Sequence, residues 1–218
     1  MNFKLAGALA VGIALLTVVP VLAAAKDVAS LQNFSDGSKA GGNSKLVRDG
    51  AAGTVASHIN ATHLMPGGAY TYWYVIFNNP ELCSDGVCGE DDLFVDPETP
   101  NVAQINAVGI AVLGGNGEVA NNGGRAAFSG GLTEGVIGSG LDIVIGPGGL
   151  IPLGPGMLQG GKAMTAEIHI VIRNHGEAQT GVDLFEQLNR FWGNCTNVPV
   201  DDDPTFECID EQFAVHLP

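Results

Sequence analysis

Basic residues are scarce in this 218-residue chain, where nine Lys and Arg face 23 Asp and Glu and the formal charge is −14. Proteins that grip nucleic acid or an anionic membrane surface need basic patches, so both partner classes are excluded. Aromatic residues amount to only 6%, with three Tyr and two Trp, and there are only four Cys. After the N-terminal leader no apolar run reaches the roughly 18 residues of a spanning helix, so the mature chain is expected to have no integral membrane segment. There is no G-x-S-x-G elbow, no P-loop, no H-E-x-x-H and no EF-hand spacing. No motif announces a reaction.

Glycine is plentiful, at 32 residues, beside an apolar content of 45%. With no collagen period, this composition implies many strands joined by tight turns. Residues 1–25 read as a cleaved export signal: Lys4 supplies the positive start, residues 5–19 the apolar run, and Ala23-Ala24-Ala25 the cleavage site. The mature chain then begins near Lys26, with eight basic residues against 23 acidic ones and a formal charge of −15. It is expected to be periplasmic or secreted. Residues 26–49 read as a polar N-terminal arm or a first strand, and 50–218 as one domain.

The cysteines fall into two local pairs, Cys83 with Cys88 and Cys195 with Cys208. Exported cysteines pair, and of the three possible connectivities the local one is favoured, because each pair closes a short polar loop containing turn residues. A four-cysteine zinc site is disfavoured, because the twelve-residue gap of the second pair does not match knuckle spacing.

The stretch 53–80 organises the rest. Alternation over 53–63 and a dense β-branched and aromatic run over 69–77 predict a hairpin turned by Pro66-Gly67-Gly68. Tyr70, Tyr72, Tyr74 and Ile76 form one row of the second strand, and Thr71, Trp73, Val75 and Phe77 the other. A strand apolar on both faces is covered on both, which predicts the centre of a sandwich. Further strands are expected over 106–113, 125–132, 136–145, 164–173 and 213–217. Gly114-Gly115-Asn116-Gly117 reads as a hairpin turn, and Asn174-His175-Gly176 as a strand end. A Gly/Pro loop spans 146–161, and one short helix spans 183–191 with Asp183 as its cap. The fold class is therefore all-β, an antiparallel β-sandwich of about six to nine strands with one short helix and long Gly/Pro loops.

Three constellations are candidates for chemistry. His58, Glu167 and His169, with His175 nearby, offer imidazole and carboxylate ligands for copper or zinc if their strands adjoin. The competing reading is four ordinary strand residues bonded to backbone or water. Glu90, Asp91 and Asp92, with Asp96 and Glu98 or the run 201–203, offer oxygen ligands for calcium. The competing reading there is a solvated acidic face. Tyr70, Tyr72, Tyr74, Trp73 and Trp192 suit glycan stacking, though rows at spacing two inside a central strand are preferred as core.

Several segments carry a resemblance: 64–71 (LMPGGAYT), 73–81 (WYVIFNNPE, with Tyr74 inserted), 88–94 (CGEDDLF), 166–176 (AEIHIVIRNHG) and 212–216 (QFAVH). In these the chain resembles a family of exported, mostly bacterial proteins of undefined activity, and more loosely the CHRD-type β-sandwich. In the latter, Glu167 replaces the first histidine of an A-H-I-H-like run. The resemblance implies a sandwich and export, and no reaction.

Two functional readings follow. The first is an exported non-enzymatic binding or structural module of the cell envelope or extracellular space, with a polymer, glycan or protein partner. The alternative is a copper- or zinc-binding protein or metal-dependent oxidoreductase. A transition metal or calcium is the only cofactor that the residues suggest.

Overall fold

The structure, a computed structural model, describes residues 24–96, 99–138, 140–141, 143–146, 149–152, 156–193, 195 and 208–218. Of the expected leader, residues 1–23 lie outside the described residues. The strands are β1 (Ala25–Asn33), β2 (Lys39–Asp49), β3 (Thr54–Thr62), β4 (Gly68–Phe77), β5 (Phe94–Asp96), β6 (Thr99–Pro100) and β7 (Ile110–Val119). They continue as β8 (Arg125–Thr133), β9 (Gly140–Leu141), β10 (Ile143–Gly146), β11 (Gly149–Pro152), β12 (Glu167–Glu177) and β13 (Ile209–His216). The helices are α1 (Glu90–Leu93), α2 (Val102–Val108) and α3 (Val182–Asn189).

The all-β expectation holds, but the sandwich does not. One antiparallel sheet runs β8-β3-β2-β1-β13-β12-β4-β7-β9, while β5–β6 and β10–β11 form small separate hairpins. Its first eight strands curl into a barrel, because β7 and β8, near opposite ends of the order, return to each other's side. A period of two says which face is buried; it does not say whether the opposing face belongs to a second sheet or to the same sheet closed on itself. The segment 26–49, read as an arm or first strand, supplies β1 and β2, with Leu31 and Leu46 fully buried.

The expected β3–β4 hairpin is also absent. β3 ladders with β2 and β8, and β4 with β12 and β7. The link between them crosses one end of the barrel, where Leu64 N donates to Gly124 O and Gly67 N to Ala120 O. His63 turns there with a left-handed φ of 62°. The two strands meet through the interior instead. Ser57 Oγ of β3 lies 3.0 Å from Tyr72 Oη and 2.7 Å from Tyr74 Oη, and the two tyrosine hydroxyls are 2.9 Å apart. This closed triangle of hydroxyls satisfies polar groups whose burial would otherwise cost about 1–3 kcal/mol each. Around it pack Leu31, Leu46, Val55, Ile59, Ile76, Leu113, Phe128, Ile168, Ile170, Ile172 and Ala214, drawn from all eight barrel strands. The barrel is filled by its own side chains.

Tyr72 plugs the seam between β7 and β8. A Cβ on Gly115 of β7 would lie 2.0 Å from its Cζ, and one on Gly130 of β8 would lie 2.1 Å from its hydroxyl. The Gly114–Gly117 run is thus a bulged part of β7 that admits a ring, and the hairpin turn comes later, where Gly124 N donates to Asn121 O. Arg48 helps close one end of the barrel: Nη1 donates to Ala163 O (3.0 Å) and Ala166 O (2.8 Å), and Nη2 donates to His216 O (3.3 Å). It thereby ties β2 to the ends of β12 and β13.

Helix content exceeds the single helix expected. α2 occupies part of the stretch read as a strand, with Asn101 accepting from Gln104 N and Gly109 ending it at φ 69°. Likewise Asn174-His175-Gly176 does not end β12; it forms a bulge inside a strand that runs to Glu177.

Gly115→Ala is expected to destabilise the protein by about 1–3 kcal/mol, because the added methyl overlaps the Tyr72 ring. Gly160→Ala, where an added Cβ meets nothing within 4 Å, should stay within about 0.5 kcal/mol of wild type. Urea denaturation of both variants measures the contrast.

Candidate functional site

β4 is buried along nearly its whole length, so its outer row needs cover as much as its inner one. Two disulfide-stapled caps supply it, and both expected bridges are present, Cys83–Cys88 and Cys195–Cys208. The first cap contains a 3-10 turn (Pro80–Leu82), the Cys83–Cys88 loop, α1 and α2. It packs Cys88, Ile105 and Val108 on Phe77 and Ile110 of the barrel wall. The second cap contains α3 and the following segment, and sets Phe191 edge-on against Trp73 at 4.8 Å. Arg173 lies over the Phe191 ring at 4.2 Å while its Nη1 pairs with Asp210 at 2.7 Å.

Each cap is fixed by polar side chains of β12. Glu167, 1% exposed, uses one oxygen to accept from Cys88 N at 3.1 Å and from His169 Nε2 at 2.7 Å. The His169 ring also rests against Phe77, 4.9 Å between centroids. At the other end of the strand His175 is fully buried. Its Nδ1–H donates to Gly193 O at 2.9 Å, since a carbonyl can only accept. That leaves Nε2 to accept from Thr71 Oγ1 at 2.8 Å, whose oxygen in turn accepts from Trp73 Nε1 at 2.8 Å. Burial pushes the His175 pKa down to about 4, opposed by the Gly193 carbonyl and assisted by the Arg173 charge. The ring is neutral at ordinary pH.

The four residues expected to share a transition metal are not brought together. His58 is exposed on the outside of β3, paired across the ladders with Lys45 and Ser129. β2, β1 and β13 separate its strand from β12. His169 and His175 lie on the same face of β12, but at about 3.3 Å per residue they stand roughly 20 Å apart. Only the Glu167–His169 pair forms as the spacing suggested.

Of the calcium candidates, Glu90 and Asp91 are exposed and Asp92 is buried in the short α1. The Asp92 carboxylate already accepts from Ser84 N (2.9 Å), Gly89 N (3.1 Å) and Gln104 Nε2 (3.0 Å). Asp92 therefore organises the first cap. Glu98 and the run 201–203 lie outside the described residues. The aromatic row is core: Tyr70, Tyr72, Tyr74 and Trp73 are at most 4% exposed.

Gln187 was not singled out in the sequence. It is buried under α3, its amide donating to His175 O (2.9 Å) and Glu177 O (3.1 Å) and accepting from Gln179 N (2.9 Å). The helix buries Gln187 and leaves Val182 and Phe185 exposed, the reverse of what its apolar spacing suggests. No signal short of the tertiary contacts identifies this amide. Where β7 bulges beside α3, a cleft of about 100 Å³ lies between Thr71, Trp73, Asn116 and Leu188, below the roughly 300 Å³ at which small-molecule pockets begin. No described helix is long and apolar enough to cross a membrane.

No protein-family model, curated protein or solved structure matches this chain.

The neutral, buried state of His175 makes stability depend on pH. Its folded pKa lies below the ordinary value of 6.5, so the unfolded chain takes up the proton first as pH falls. Stability is expected to decline between pH 6.5 and about 4 by up to roughly 3 kcal/mol from this residue. His216, also depressed by burial, adds to the decline. Urea midpoints across that range should fall steeply in wild type and less steeply in His175→Gln.

Proposed function

We propose that this protein is an exported, non-enzymatic binding module whose barrel is a scaffold and whose first stapled cap is the recognition surface. The observation that carries the reading is the make-up of that cap. Leu82, Val87 and Val102 on it, and Val95 on the adjoining β5, are 43–69% exposed. Among them stand the exposed carboxylates Glu81, Asp85, Glu90 and Asp91. Apolar side chains held in water on short, cross-linked elements suit docking, because the bridge and the Glu167 anchor have already removed most of the conformational freedom that binding would cost.

The acidic surround selects a partner of opposite charge, a cationic protein or polymer outside the cell, and gives the encounter a strong salt dependence. Export is supported by the leader pattern, by two disulfides and by the resemblance to exported proteins. Loops and short elements displayed on a rigid sheet are where binding residues concentrate.

Binding to the envelope fraction of the producing cell, followed by co-sedimentation, tests this reading. Wild type should bind with an affinity that falls as salt rises, and Leu82→Ser/Val95→Ser should bind about tenfold more weakly. Val28→Ser/Phe34→Ser, which alters exposed apolar residues far from this cap in the sequence, should bind as wild type does. Equal binding by both double variants, or turnover of ester, glycoside or redox substrates by the purified protein, contradicts it.

A further inference from the structure

We propose that, before its bridge closes, the Cys195–Cys208 pair joins His175 Nδ1 in a zinc site of two thiolates and one imidazole. The geometry points to this independently of the binding reading. His175 Nδ1 lies 3.6 Å from Cys195 Sγ and 3.5 Å from Cys208 Sγ. In a tetrahedral zinc site with Zn–S near 2.3 Å and Zn–N near 2.05 Å, the N···S edge is about 3.5–3.6 Å. Both edges are therefore already in place around one imidazole nitrogen, and all three residues are buried. Two changes remain: the Gly193 carbonyl, 2.9 Å from Nδ1 on its lone-pair side, turns aside to admit the metal, and the two sulfurs separate to about 3.8 Å, which side-chain rotation supplies once they are not bonded to each other.

The surroundings suit the imidazole as a ligand. Coordination through Nδ1 moves the ring proton to Nε2, and Thr71 Oγ1 at 2.8 Å is placed to accept it. A histidine ligand that donates its other N–H to an oxygen is held in the right tautomer and orientation. Three protein ligands leave the fourth zinc position for water or a small anion.

The comparable group at the first cap, Cys83, Cys88 and Asp92, is weaker. Its carboxylate is occupied by three N–H donors, and a metal there would have to strip them.

Every exported chain reaches its destination with thiols, so zinc and oxidant compete for the same sulfurs. Zinc binding releases the two thiol protons and leaves the sulfurs as thiolates. Oxidation removes two electrons and two protons, closes the bridge and excludes the metal.

The test uses the full mature chain with Cys83→Ser and Cys88→Ser, so that only the second pair can react. A trialkylphosphine reduces the bridge: phosphorus takes the oxygen of one water, and its two hydrogens end on the sulfurs. The reduced protein is expected to take up one equivalent of zinc in competition with a chromogenic chelator, and the oxidised protein none. Cobalt in place of zinc should show tetrahedral visible bands and thiolate-to-cobalt charge transfer. His175→Gln should weaken binding at least tenfold. If that variant does not fold, Thr71→Val carries the test, and should weaken zinc about tenfold while keeping the charge-transfer band. No zinc uptake on reduction, equal affinity in the variants, six-coordinate cobalt without sulfur bands, or unfolding on reduction that zinc does not reverse would each overturn the proposal.

Discussion

A single strand that must be dry on both faces dictates this structure. β4 carries Tyr70, Tyr72, Tyr74 and Ile76 on one row and Thr71, Trp73, Val75 and Phe77 on the other, and nearly all of it is buried. Each large apolar side chain contributes about 1.5–3 kcal/mol when removed from water, so neither row is dispensable. The inner row fills the barrel, where the Tyr72 and Tyr74 hydroxyls bond each other and Ser57 while Tyr70 bonds Met65 N and Glu211. The outer row faces away from the barrel axis, and a barrel alone leaves it wet. The two caps answer that second requirement, one over Phe77 and one over Trp73. Short caps have little core of their own, which is why each carries a disulfide and a buried polar anchor on β12.

The same constraint accounts for residues that look chemical. Glu167, His169, His175, Asp92 and Gln187 are the acids, imidazoles and amides one would examine for catalysis. Each is instead engaged in building a cap or holding it to the barrel: Glu167 bonds Cys88 N and is braced by His169, His175 bonds Gly193 O, Asp92 bonds Ser84 N and Gly89 N, and Gln187 of α3 bonds His175 O and Glu177 O of β12. Buried polar groups of this kind fix one docking arrangement, because any shift of a cap leaves a buried donor or acceptor unpaired. That rigidity presents the exposed apolar residues of the first cap in a constant arrangement.

What was legible in the sequence was local. Alternation located β3 and β12, the aromatic and β-branched run located β4, and the return from a glycine-rich turn located β8, each to within a few residues, and the short loops named both disulfides. Neighbourhood was not legible, because period two assigns faces and is silent about pairing; hence β3 and β4 meet across the interior and not in a hairpin, and His58 stands far from Glu167. Glycine misled twice for one reason. A glycine at Gly115 or Gly176 marks either a turn or a place where something bulky or a bulge must fit, and only the partner, here Tyr72 or the β12 bulge, tells which. The helix α2 did have a signal, Asn101 at its start and Gly109 at its end, but the apolar run that follows masked it. Gln187 had none, and for Glu167 only the His169 partner two residues on was legible, because the Cys88 N–H that it also holds comes from a distant part of the chain.

The central claim is that the barrel is a self-sufficient scaffold and the caps are a separately anchored outer layer. Hydrogen exchange on the oxidised and the fully reduced protein tests it most directly. The account predicts that reduction speeds exchange in α1, α2, α3 and the segments around the bridges, while the central amides of β4, β12 and β13 keep their protection. Simultaneous loss of protection across caps and barrel strands would contradict it, and would mean that the disulfides hold the whole sheet together.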